Sequence, residues 1–147
     1  MVVSIDLMVN DLIQQGKKYA WVKPLCPACG ARVWWHGFVF AFFSIYPCGI
    51  YIRRVRCPHC KGVHRLKPKG YWPRFRFSKK EIRDAIECRE KNKTYIKNSA
   101  EKSTMQRWWI NLKRMIKMVL TLKFEESCII GFDLLVKAGI IPVSSVK

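Results

Sequence analysis

The chain has 147 residues, enough for one domain or a small domain with helical additions. Half of them are hydrophobic and 13% are aromatic, which excludes a disordered tail. Its formal charge of +18, from 28 Lys and Arg against ten Asp and Glu, is a self-repelling excess that a polyanion would neutralise.

The charge is unevenly spread. From Lys17 to Lys80 there is no Asp or Glu, yet there are fifteen Lys and Arg. Residues 81 to 147 hold thirteen basic and eight acidic residues, a net of +5. A long acid-free stretch is the footprint expected of a nucleic-acid-binding surface, against the plainer reading of a solvated basic face.

The N-terminal segment MVVSIDLMVNDLIQQGKK predicts a helix over residues 4 to 15, inside an N-terminal element spanning 1 to 19. Ser4 is its expected N-cap, Ile5, Met8, Val9, Leu12 and Ile13 share a face, and Gly16 is the expected stop. Asp6 and Asp11 interrupt its apolar residues and no basic n-region precedes them, so it is not read as a secretory signal. Seven cysteines are then expected in a reducing cytosol, where paired cysteines more often bind metal than form a disulfide framework.

Residues 20 to 77 carry the first chemistry. CPACG at 26 is matched by CPHC at 57, so Cys26 and Cys29 pair with Cys57 and Cys60 across 27 residues. Two such knuckles set four thiolates tetrahedrally around zinc, because each two-residue gap lets both sulfurs face one point. A redox dithiol would need a single pair opening a helix; here there are two pairs, and aromatic strand formers follow the first. Four sulfurs leave no open coordination position, so one structural Zn2+ is expected, and chemistry at the metal is not. Gly30 suits the left-handed turn that follows a knuckle. His36 and His64 could each replace a ligand, but four cysteines suffice, and a hydrogen-bonding role that orders the ribbon is favoured. Cys48, Cys88 and Cys128 have no partner at ligand spacing. Cys48 is expected at a hairpin turn, and the other two as small core residues.

Between the knuckles, residues 32 to 46 and 50 to 56 predict a hairpin turning at Pro47 and Gly49. Its most apolar run, residues 39 to 52, is about 14 residues against the ~20 needed to span a bilayer, so no membrane partner is expected. A short strand is expected near residues 63 to 66. KPKGYWPRFRF, residues 67 to 77, reads as an extended basic arm.

Residues 78 to 120 form a helical region. SKKE is a capping box in which Ser78 accepts from the Glu81 amide, with Ile82, Ala85 and Ile86 as the apolar stripe. A polar connector follows over residues 91 to 102. Residues 103 to 120 give the clearest helix, capped by Ser103, with Met105, Trp108, Trp109, Leu112, Met115, Ile116 and Val119 on one side. Gln106, Arg107, Asn111, Lys113, Arg114 and Lys117 fall on the other. The outline matches a helix-turn-helix, whose second helix enters the major groove. Ser103, Thr104, Gln106 and Arg107 would sit in its first turn; Gln and Arg suit adenine and guanine edges. Asn111, Lys113, Arg114 and Lys117 would lie further along the same exposed side, the basic ones on phosphates. A last helix is expected over residues 125 to 137, in a terminal region of 121 to 147.

CPACG at 26, HG at 36, RVRCPHC at 54, VHRLKP at 63, FS at 77 and ST-x-x-RWW at 103 together resemble a family of small bacterial proteins. Its members pair a zinc ribbon with a helix-turn-helix and are associated with insertion sequences and transposases. The resemblance covers roughly residues 20 to 115. It implies an α+β fold, a small antiparallel ribbon sheet followed by a helix-turn-helix-like region, with Cys26, Cys29, Cys57 and Cys60 as ligands. It also implies binding of transposon or related DNA by residues 103 to 114, in a bacterial cytoplasm and at the nucleoid.

The expected function is therefore a zinc-dependent DNA-binding accessory factor or transcriptional regulator. Arg53, Arg54, Arg56, Arg65, Lys67, Arg74 and Arg76 would hold phosphates. The alternatives are RNA binding, with ribbon aromatics stacking on single-stranded bases, and an adaptor docking on a transposase or other larger protein. An enzyme is the least supported reading: the acids are Asp6, Asp11 and eight scattered from Glu81 on, with no glycine-rich phosphate loop and no H-x-E beside a cysteine pair.

Overall fold

β-Branched and aromatic residues dominate the first half of the chain and helix formers the second, and the structure divides accordingly. The computed structural model describes residues 2–97, 100–121 and 126–145. It separates into two units, Met1–Arg76 and Phe77–Lys147. Among the described residues there are four strands in one mixed sheet and four α-helices, an α+β fold.

In the first unit the strands are β1 (Val2–Ile5), β2 (Trp34–Phe43), β3 (Tyr46–Arg56) and β4 (Val63–Pro68), in the order β1-β4-β3-β2. β2, β3 and β4 are antiparallel neighbours, whereas β1 runs parallel to β4, with Val3 opposite Leu66 and Ile5 opposite Pro68. The helix expected over residues 4 to 15 is thus a strand followed by a shorter helix, α1 (Val9–Gln15), and a 3-10 turn over Gly16–Lys18. Ser4 lies in β1 instead of capping a helix; Met8 is the N-cap and supplies no side-chain bond. The short VVSI run gains a ladder of backbone bonds from β4, which no local helical pattern could foresee.

The hairpin forms, but it turns at Ser44 and Ile45, and Pro47, Cys48 and Gly49 belong to β3. The register shifts between Ala41 and Phe43, so the ladder is interrupted where Pro47 has no N–H to offer. Cys48 is exposed on the strand. The segment expected as an extended arm folds back on itself: Tyr71 and Trp72 are buried, and the Tyr71 and Phe75 amides close turns by donating to the Pro68 and Trp72 carbonyls.

Side chains alternate across a strand, so Ile52 and Val55 point to opposite faces of the sheet. Ile50, Ile52 and Phe43 pack with Val9 and Leu12 of α1 and with Tyr71. Val55 and Leu66 pack on the other side with Val33, Cys26 and Cys57. The first cysteine of each knuckle is therefore part of a core.

The second unit holds α2 (Lys79–Asn92), α3 (Lys102–Val119) and α4 (Cys128–Lys137), each packed on the other two. The capping box is formed: the Glu81 amide donates to Ser78 Oγ at 3.1 Å, and the Ser78 amide donates to Glu81 Oε2 at 2.8 Å. Ile82 and Ile86 of α2, Leu112 and Ile116 of α3, and Phe132 and Leu135 of α4 are buried. Glu90 of α2 caps α4, accepting from Ser127 Oγ at 2.7 Å and the Cys128 amide at 2.6 Å. Arg83 donates through two nitrogens to Asp133 at 2.9 and 3.1 Å, tying the same two helices. Cys88 and Cys128 are half-buried. The start of the helix expected at Glu125 lies outside the described residues; α4 itself begins at Cys128.

α3 begins one residue earlier than expected, so Ser103 is not its cap; Glu101 takes that position without a side-chain bond. The nine residues Lys93–Glu101 separate α2 from α3, more than the three or four of a tight helix-turn-helix turn.

Candidate metal centre and basic surface

Both knuckles are built by the same backbone pattern. The amide of Cys26 donates to the Ala31 carbonyl at 2.9 Å, and that of Cys57 to the Gly62 carbonyl at 2.9 Å, five residues on in each case. Gly30 follows the first pair with φ +70°, and Lys61 follows the second with φ +60°. A left-handed Lys costs about 1–2 kcal/mol relative to an ordinary conformation, so its surroundings impose this turn, among them the Cys57–Gly62 bond that closes it.

The four sulfurs of Cys26, Cys29, Cys57 and Cys60 all lie within 4.8 Å of one another. Across the knuckles, Cys26 Sγ is 3.6 Å from Cys60 Sγ, and Cys29 Sγ is 3.5 Å from Cys57 Sγ. Four thiolates at the ~2.3 Å zinc–sulfur distance form a tetrahedron with edges of about 3.8 Å, so the donor set and its spacing suit zinc. Cys26 and Cys57 are buried; Cys29 and Cys60 are exposed.

The Cys60 amide, 3.5 Å from Cys57 Sγ, pulls that thiol down to about 7. Cys29 is pushed up to about 11: the Ala31 amide favours its thiolate, but the adjoining Cys57 sulfur keeps the proton on it. Crowded sulfurs cannot all ionise by themselves, so a metal ion entering the cluster displaces protons. His64 is buried beside the cluster, its Nε2 at 3.5 Å from Cys26 Sγ, close enough for the ring N–H to donate to a thiolate there. Its Nδ1 has no hydrogen-bond partner among the described residues. Alternation in β4 carries this signal: His64 and Leu66 face inward, Val63 and Arg65 outward.

The basic residues are distributed as follows. Arg53 is half-buried, its guanidinium 4.8 Å from the Trp35 ring centre and 4.4 Å from that of Phe38. Arg54 stands across from Arg65 in the β3–β4 register. Arg56, Arg65, Arg74 and Arg76 are exposed. Lys67 is not at the surface: its Nζ donates to the carbonyls of Trp72 at 2.8 Å and Phe75 at 2.6 Å, inside the folded loop. It is thus withdrawn from the phosphate contacts expected of it, because the turn needs donors for those two carbonyls. Burial pushes its pKa down to about 8.

On α3, Gln106, Arg107, Lys113, Arg114 and Lys117 are exposed together, with Ser103 exposed and Thr104 half-buried. Ser103 Oγ donates to Glu101, and Lys113 lies 5.6 Å above the Trp109 ring. Asn111 is buried and donates to the Val143 carbonyl at 3.2 Å. The residue expected on the exposed side is therefore a core hydrogen bonder. Among the described residues, no helix is long and apolar enough to cross a membrane.

Four clustered cysteines that could hold a metal ion, two of them in the core of the sheet-bearing unit, and a second unit of three α-helices define the class: a small α+β protein with a candidate metal centre. Residues 26–108 match the model of a family described as a domain of unknown function, DUF6431, and the chain belongs to that family. The match begins at the first knuckle cysteine, takes in both knuckles and strands β2 to β4, and ends at Trp108 in α3. No curated protein and no solved structure matches the chain.

Proposed function

We propose that this is a nucleic-acid-binding protein whose first unit is held together by one zinc ion, and that its target is double-stranded DNA. The observation that carries the reading is the pairing of a closed four-thiolate cluster with a sheet nearly free of acids. Met1–Arg76 contains thirteen Lys and Arg but only Asp6 and Asp11, and Asp6 is already paired with Lys69 at 3.1 Å. Four thiolates leave zinc no open position, so the ion organises structure and the protein is read as a binder, not an enzyme. Arg53, Arg54, Arg56, Arg65, Arg74 and Arg76 serve phosphates, which position without specifying. Gln106 and Arg107 on α3 are the base readers, in a helix-turn-helix-like role with a long connector. A transposon-associated accessory factor or a transcriptional regulator at the nucleoid fits this division of labour.

The test is binding of zinc-loaded protein to duplex fragments selected from a random pool, over a salt series with nonspecific competitor. Six to ten phosphate contacts give a log–log salt slope of roughly −0.9 per contact. Enrichment of one sequence, lost in Gln106→Ala or Arg107→Ala, supports the reading. Affinity uniform across sequences and abolished by salt overturns the base-reading role of α3.

A second reading, single-stranded RNA, is favoured by the exposed rings of Trp34, Phe40, Phe42 and Tyr51 on the hairpin, which could stack on unpaired bases. Preference for structured or single-stranded RNA over duplex in direct competition would select it.

A further inference from the structure

The geometry points to a built phosphate site on the sheet: the cleft formed by Arg54, Arg65 and Arg74. The three arginines line one cleft of about 600 Å³ together with Val2, Val63 and Pro73. This deepens the nucleic-acid reading and rests on it for the source of the phosphate, though not for the site itself.

Three features make it a site and not a scatter of surface charge. First, Arg54 on β3 and Arg65 on β4 are directly opposite in the register, and like charges so placed repel. Among the described residues neither they nor Arg74 has a carboxylate partner, and the unit's two acids, Asp6 and Asp11, line no part of the cleft. An anion between the guanidiniums turns this repulsion into attraction. Second, Arg54 Nε is buried without a hydrogen-bond partner. One terminal nitrogen of the same side chain lies 3.8 Å from where a Cβ on Gly37 would stand. That is an ordinary van der Waals distance, so the guanidinium lies against the irregularity of β2 between Trp35 and Phe38, where Gly37 has φ +74°. Third, Arg74 has φ +66°, a left-handed conformation that a non-glycine residue keeps only when its surroundings impose it. They do: the Lys67 ammonium bonds the carbonyls of Trp72 and Phe75 on either side of it, so the loop that presents Arg74 is pinned from within.

Arginine forks donate parallel N–H bonds, and three of them can surround a tetrahedral phosphate, whose oxygens are not confined to one plane as a carboxylate's are. The cleft has room for the sugar of a phosphodiester as well. The same chemistry takes a phosphate in a nucleic-acid backbone or a free phosphate ester.

The experiment uses the zinc-loaded full chain. Thermal stability and direct binding are measured with inorganic phosphate against chloride at equal ionic strength, then with duplex DNA and single-stranded RNA. The expected result is a phosphate-specific rise in melting temperature that Arg65→Met removes, with an affinity loss of about ten- to hundredfold. Arg65→Lys should not restore it, since a fork is needed, and Lys137→Met, at an exposed lysine of α4, should leave it intact. Should the variants fold poorly, melting curves in chloride alone reveal it, and Arg74→Gln, on an exposed loop residue, serves instead. If Arg65→Met also weakens nucleic-acid binding evenly across sequences, the backbone is the source. If it abolishes phosphate binding alone, or the wild type binds phosphate but no nucleic acid, the source is a free phosphate ester and the cleft stands without the broader reading. Equal effects of phosphate and chloride, with nucleic-acid affinity unchanged in Arg65→Met, would overturn the site and leave the nucleic-acid reading untouched.

Discussion

Lys67→Met is the perturbation whose outcome follows most directly from the structure. Lys67 is 8% exposed, and its ammonium donates to two carbonyls and lies 5.7 Å from the ring centres of Phe43 and Tyr71. Desolvation lowers its pKa from 10.5 to about 8. At neutral pH it is still charged, but the folded protein holds that charge at a disadvantage. Between pH 8 and 10.5 the unfolded chain binds the proton and the folded chain does not, so stability rises with pH across this window. Each pKa unit carries about 1.36 kcal/mol, so the full rise is ~3 kcal/mol. The neutral amine still has two hydrogens for two carbonyls, so the loop keeps its bonds throughout. In Lys67→Met the carbonyls lose their donors, and no charge remains to be relieved. The expected outcome is a stability difference that grows in favour of the wild type by ~3 kcal/mol from pH 7 to 10.5, read by urea denaturation of zinc-loaded protein. The Lys67 Cε resonance should titrate near pH 8. A flat difference over that range, with the resonance titrating above 10, would refute the reasoning by showing that the ammonium is solvated.

Three further outcomes are expected. The chain should bind one zinc ion; chelation or Cys57→Ser should unfold the Met1–Arg76 unit, seen as loss of amide protection in β3, while Cys48→Ser should keep the metal. Ser78→Ala should cost about 1 kcal/mol by removing the capping box of α2, measured by denaturant melting. Asp133→Asn should cost less than about 1 kcal/mol at neutral pH, since both side chains of the ion pair are more than a third exposed and water screens them. The Arg83 hydrogen bond holds the Asp133 carboxyl below its usual range. Its stabilisation is therefore present at neutral pH and lost as pH falls through the acid range, where wild type and variant should converge in a pH series of melting curves.

The parts of the fold that were legible in sequence are those set by local chemistry. The two C-P-x-C pairs come together, because a knuckle is a property of four consecutive residues and the hairpin between them brings one to the other. Ser78 and Glu81 cap α2 as their spacing dictates, and the apolar stripe of α3 is buried at Met105, Trp108, Leu112 and Ile116. What escaped depends on partners distant in the chain. β1 is a strand only because β4, some sixty residues away, offers it an edge. Lys67 and Asn111 looked like surface residues by type, but each meets carbonyls that the interior would otherwise leave unpaired: those of Trp72 and Phe75, and that of Val143. The hairpin turn was misplaced because Pro47 and Gly49 mark an irregularity in the ladder as readily as a turn.

The placement of the cysteines explains how so basic a unit can hold together. A unit near 76 residues has a core that rarely supplies more than ~3–5 kcal/mol by itself, so chains of this size commonly add a metal or disulfides. Here Cys26 and Cys57 occupy core positions beside Val33, Val55 and Leu66, so a bound ion would crosslink the interior and not merely its rim. A zinc ion with four thiolates would also carry a net charge of −2, a compensation that this sheet, with two acids against thirteen Lys and Arg, obtains from little else. With cohesion supplied by an ion on the cysteine side, Arg54 could stay opposite Arg65 on the other face of the sheet, a pairing that would count against a fold relying on its strands alone. On this reading the cysteine face and the arginine face depend on one another: a metal ion on the first would tolerate the repulsion that the proposed phosphate site on the second requires.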